Sequence, residues 1–119
     1  MSEANEFLYI FRGGADPATM TPEQMQQNMG AWMNWIGGLR AKGLYKAGSP
    51  LQDDTRVLSG TGGASVTDGP FAEAKETVGG YMIVAAQDIA EAASMAKGCP
   101  IYAGGGTVEV RPIQKMEGL

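Results

Sequence analysis

The run Glu6–Arg12, EFLYIFR, places bulky apolar side chains on both faces of an extended strand, with Phe7, Tyr9 and Phe11 on one side and Leu8 and Ile10 on the other. Such a strand belongs inside a sheet and needs cover on both sides. Tyr81–Ala86, YMIVAA, is apolar throughout in the same way and follows the pair Gly79-Gly80. Only two segments of the chain carry helical periodicity, and each returns the chain across the sheet. If both helices lie on one side, the other side has to be closed by something else, and a second copy of the chain does so by face-to-face sheet packing.

The first helix starts at Thr21-Pro22-Glu23-Gln24, where Thr21 is the N-cap, Pro22 the first helical residue and Gln24 able to reach back to the cap amide. Met25, Met29, Trp32, Ile36 and Leu39 recur at steps of four and three and define its apolar stripe. Lys42-Gly43 ends it, with glycine at the left-handed position. Gly37-Gly38 inside the helix marks either a close contact or slack. Leu44–Asp54 reads as loop. Thr55–Gly60 and Ala64–Thr67 form a hairpin around Thr61-Gly62-Gly63. The second helix opens at Asp88 with Glu91 completing a capping box, and buries Ile89, Ala92, Ala93 and Ala96. Gly98 and Pro100 stop it. Thr107–Pro112 is the last strand, with Val108 and Val110 sharing one face.

This order predicts a single α+β domain over residues 1–119, a ferredoxin-like split βαβ arrangement with an inserted hairpin and an antiparallel sheet. The length supports one core and not two.

A net charge of -4 and a pI near 4.7 give no broad positive field for a phosphate backbone, which argues against nucleic acid as a partner. No stretch approaches the roughly 18 apolar residues of a membrane span, and MSEANEFLYI lacks the order of a signal peptide, so the expected location is cytoplasmic. With no histidine and only Cys99, the usual zinc ligand sets are absent within one chain, and no metal or cofactor is expected. Gly104-Gly105-Gly106 lacks the lysine of a phosphate loop and precedes a strand.

The stretch Thr67–Glu76, TDGPFAEAKE, carries the most specific local chemistry. Asp68 accepts turn amides or serves as a general base, Lys75 is its electrostatic partner, and Glu73 or Glu76 is a second acid. The alternative is a capped turn with solvated charges. Arg12 at the end of the first strand is a candidate for a carboxylate or phosphate, or else the member of an internal ion pair. Trp35 sits beside the helical stripe and is a candidate pocket wall for a flat ligand, whereas Trp32 belongs to the stripe. Tyr81, in the strand that leaves the signature loop, is the preferred pocket tyrosine. Cys99, at a helix C-terminus, is expected to be a small unreactive side chain, because helix N-termini are what lower thiol pKa values.

TDGPFAEAKE, followed by Val78-Gly79-Gly80-Tyr81 and later by Val108-Glu109-Val110-Arg111-Pro112-Ile113, closely resembles the DGPF branch of the YCII-related family, the similarity running from Phe7 to Ile113. The resemblance implies a ferredoxin-like fold and an alpha-beta barrel formed across a homodimer. It does not imply one reaction. In some relatives a histidine and an aspartate face a cleft, and one relative is a dehalogenating enzyme. This chain has no histidine, so Asp68 corresponds only to the aspartate of the DGPF motif. Three expectations follow: a homodimer that binds a small metabolite near Asp68; a small-molecule isomerase or lyase using Asp68 with Arg12 and Lys75; or, because relatives neighbour extracytoplasmic-function sigma factors, a regulatory protein.

Overall fold

The computed structural model describes residues 5–68 and 77–116. Its main sheet has four strands in the order β2-β5-β1-β6, formed by β1 (Asn5–Arg12), β2 (Tyr45–Pro50), β5 (Val78–Ala86) and β6 (Thr107–Pro112). All three pairings are antiparallel. Helix α1 (Pro22–Ala41) joins β1 to β2, and α2 (Ile89–Ala96) joins β5 to β6. Each helix therefore links two strands separated by a third, which is the interleaved split βαβ arrangement expected of the ferredoxin-like class.

The register explains the two-faced strands. Tyr9 lies opposite Met82 and Val110, and Phe7 opposite Val84, on the face that both helices cover. Phe7, Tyr9, Phe11, Met82, Val84 and Leu39 are buried there together with Ala92 and Ala96 of α2. On the opposite face Leu8 lies between Ile83 and Arg111, and Ile10 between Tyr81 and Glu109. No described helix packs on that side, and Leu8, Ile10, Tyr81 and Ile83 are only half-buried.

Several sequence expectations hold in detail. Thr21 Oγ1 accepts from the Gln24 amide while the Gln24 side chain accepts from the Thr21 amide, a complete capping box. Gly43 has φ 72° where α1 ends. The hairpin is present as β3 (Arg56–Ser59) and β4 (Ser65–Asp68), turning through Thr61–Gly63.

Other expectations are corrected. Residues 45–50 form an edge strand, not a loop. Gly48 permits it: a side chain there would place its Cβ 2.9 Å from the carbonyl oxygen of Tyr81, while Pro50 sits at the strand end on the sheet edge, where a missing amide is tolerated. The fourth strand of the main sheet is thus β2, and among the described residues the hairpin forms a separate two-stranded sheet. That arm helps explain a radius of gyration of 16.4 Å, against about 13.5 Å for a compact chain of this length.

In α2, Ala92 and Ala96 are buried, but Ile89 and Ala93 are exposed, because this eight-residue helix touches the sheet along a single ridge. Asp88 caps it by accepting from the Glu91 amide, yet the Glu91 carboxylate accepts from the Gln87 amide at 3.3 Å and not from Asp88. A Cβ at Gly37 or Gly38 would meet nothing within 4 Å, so the glycine pair in α1 is slack and not a contact.

Candidate functional site

The apolar stripe of α1 divides at Trp32. Leu39 is buried and Ile36 and Trp32 are half-buried, while Met25 and Met29 are 46% and 68% exposed. The cause lies in the sheet beneath. Gly80 of β5 lies opposite Pro50 and Phe11, and Gly48 of β2 lies opposite Met82, so beneath the N-terminal half of α1 the large side chains of β2 and β5 are reduced to Tyr45 and Met82, which line the space while Met25 and Met29 stay exposed. Gly80 admits no easy filling: a Cβ there would lie 3.0 Å from the Ser49 carbonyl oxygen.

A cavity of about 890 Å³ occupies this space. Such a volume is within the range of small-molecule sites. Its roof is α1 from Gln24 to Ile36, its floor the glycines of β2 and β5 with Phe11, and its far wall Pro100, Ile101, Ala103 and Gly104. Phe11 and Trp32 meet edge-to-face with centroids 5.1 Å apart and planes at 88°. Met20, Met25, Met29 and Met82 supply thioethers. The polar groups are few: Thr19, Gln24, Asn28, Ser49 and the Tyr45 hydroxyl, which lies 3.5 Å from the Gly48 carbonyl oxygen. The Gln24 carbonyl is committed to the helix cap. Among the described residues the wall contains no charged side chain.

The sequence-derived candidates fall in different places. Asp68 ends β4, its side chain 78% exposed and its Oδ1 3.1 Å from Arg56 Nε. Arg56 also reaches Asp54 at 2.6 Å, a local cluster on the separate hairpin. Exposed pairs of this kind contribute little, about 0–1 kcal/mol. Arg12 lies on the opposite sheet face from Phe11, with Nε 3.5 Å from Glu109 Oε1. Lys75 lies outside the described residues, as do Phe71 and the rest of 69–76.

Trp35 stacks on Tyr9 at 6.1 Å and donates from Nε1 to the Met95 carbonyl at 3.2 Å. It lines a smaller hollow of about 390 Å³ between the two helices, not the main cavity. Tyr81 contributes to the main cavity, although strand alternation turns its side chain toward the helix-free face beside Ile10. The residues that sequence reasoning missed are Trp32, Asn28 and the methionines. Part of the signal was available in Gly80, which shares a face with Met82 by alternation in β5, whereas Gly48 joins it only through the pairing of β2 with β5.

Tyr9, Cys99 and Tyr102 cluster at the end of α2. The Tyr9 hydroxyl donates to the Ala92 carbonyl and the Tyr102 hydroxyl to the Ala96 carbonyl. Burial pushes the Tyr9 hydroxyl up to about 12, with smaller contributions from Tyr102 and Cys99, and pushes the Cys99 thiol from 9.0 up to about 11. Cys99 is therefore a buried, protonated thiol. Because folding raises both values, the associated stability is complete below pH 9 and is lost as the pH climbs through 11 and 12. Chemical-denaturation midpoints should be flat from pH 7 to 9 and fall above it, and Cys99→Ala should delay the onset of the fall. A midpoint that rises with pH between 9 and 12 contradicts this assignment.

No group of three or more Cys, Asp or Glu side chains among the described residues is placed to hold a metal ion, and no described helix is long and apolar enough to cross a membrane. None of the curated proteins matches the chain. Residues 7–117 match the model of the YCII-related domain, over nearly the whole sequence that builds this sheet and its helices, and the chain belongs to the YCII-related family.

Proposed function

We propose that this YCII-related protein is a cytoplasmic homodimer that binds a small molecule between α1 and the sheet. The observation that carries the reading is the cavity of about 890 Å³ where the sheet offers glycines and α1 offers Met25, Met29 and Trp32. A family member built only for stability gains nothing from leaving that stripe uncovered, since each large apolar side chain that stays wet forgoes about 1.5–3 kcal/mol. Binding is favoured over acid-base chemistry because the described wall has no carboxylate, amine or thiol. Asp68 and Arg12 are engaged by Arg56 and Glu109 on two separate sheets, which gives less support to a joint catalytic role. The second copy enters through the half-buried row of Leu8, Ile10, Tyr81 and Ile83 on the helix-free face.

Occupation of the cavity has a direct measurement. 1-Anilinonaphthalene, a neutral aromatic probe, at a hundred times its dissociation constant stabilises a protein by about 2.7 kcal/mol, and at about 4 °C per kcal/mol the melting temperature should rise by roughly 10 °C. Asn28→Phe, an exposed helix position on the cavity wall, should cut the rise to about half or less while leaving the unliganded melting within about 0.5 kcal/mol of the parent. A parent protein that shows no rise refutes the reading.

A further inference from the structure

We infer that the cavity under α1 selects an uncharged, ring-bearing ligand and rejects anionic analogues of the same shape. This rests on the reading of the cavity as a ligand site. Its described wall offers an incoming group Phe11 and Trp32 in an edge-to-face pair, thioethers whose flexible stems adapt to a ring, and the Asn28 amide as a polar handle. An anion entering this space gives up part of its water and meets no cation among the described wall residues. Arg12 is on the other face of the sheet with Glu109, and Arg40 lies over the Tyr45 ring at 4.7 Å without joining the wall. A buried charge without a partner is strongly disfavoured, while a neutral ring with one hydrogen-bonding group is not. The site thus recognises a neutral aromatic or similarly unsaturated ring, and a carboxylated or phosphorylated form of the same compound is excluded.

1-Anilinonaphthalene and its 8-sulfonate share one ring skeleton and differ by one sulfonate group, whose charge is separated from its bulk by the Met29→Lys variant. Both are titrated by fluorescence in 0.5 M salt, where screening over about 4 Å removes the long-range influence of the protein's net charge of -4. The neutral probe should bind and take energy from Trp32, and the sulfonate should bind at least about tenfold more weakly. Asn28→Phe should weaken the neutral probe by about tenfold or more, since it fills the wall and removes the amide. Met29→Lys, at a position 68% exposed and so tolerant of charge, should bring the sulfonate to within about threefold of the neutral probe. Equal binding of the two probes by the parent protein overturns the charge selection and leaves the cavity as a ligand site. Failure of both probes to bind, or binding that neither variant changes, overturns the cavity reading and this inference together.

Discussion

Replacing Tyr9 by alanine is expected to remove about 4 kcal/mol of stability and to lower the melting temperature by roughly 15 °C. Tyr9 is fully buried at the centre of the sheet, stacked on Trp35 at 6.1 Å and edge-on to Phe11 at 6.4 Å. Its hydroxyl is bonded to the Ala92 carbonyl of α2, so one side chain joins β1 to both helices. Alanine deletes the ring, leaves a cavity that neighbouring aromatic rings are too rigid to fill, and frees the polar group on α2. A loss of that size is a large part of the 5–15 kcal/mol that a domain commands. Tyr9→Phe separates the contributions: the ring stays, and only the hydrogen bond is lost, at about 1 kcal/mol. Urea denaturation of both variants checks the pair. An alanine variant that loses less than about 1.5 kcal/mol contradicts the central role assigned to this ring.

The largest effect on assembly is expected from Ile83→Glu. Ile83 lies on the helix-free face, flanked by Leu8 on one side and Ala47 on the other, with Tyr81 and Ile10 in the next row. In an isolated chain this half-buried position touches water, and a carboxylate there is tolerated. Across a face-to-face dimer two such carboxylates meet in an apolar interface without partners, a penalty of several kcal/mol that outweighs the attraction of a modest interface. Glu109 and Arg111 lie on β6 at the edge of the same face, and Arg12 lies at the end of β1, four residues along from the Leu8 that pairs with Ile83, so none is placed to neutralise the centre. In sedimentation equilibrium at micromolar concentration the parent protein should have twice the 12.5 kDa chain mass, and Ile83→Glu should sediment as the single chain with an unchanged far-ultraviolet circular dichroism spectrum. A parent that sediments as one chain, or a variant that remains a dimer, refutes assembly through this face.

Much of the fold was readable because its signals are local. The Thr21/Gln24 capping box, Gly43 at the helix end and the hairpin turn at Thr61–Gly63 depend on residues within a few positions of one another. The alternation of Phe7, Tyr9 and Phe11 with Leu8 and Ile10 likewise announced a strand with two apolar faces. Strand β2 was not readable, since YKAGSP has the composition of a loop and becomes a strand only by pairing with β5. The same holds for α2, where Ile89 and Ala93 share the periodicity of Ala92 and Ala96 but miss the sheet.

The candidate site divides along the same line. Asp68 and Arg12 stood out by charge and by motif, yet they belong to different sheets, a fact of pairing partners that no spacing along the chain encodes. Trp32, Met25 and Met29 read as core because a stripe at helical spacing is buried wherever it finds a partner. By itself the sequence determined the elements with local signals, the family, and strands with two apolar faces, because capping, alternation and turn geometry are short-range. Tertiary structure alone decided that β2 completes the sheet and that Gly48 and Gly80 lie beneath Met25, Met29 and Trp32, because a cavity is made by side chains that are missing on one element opposite side chains present on another.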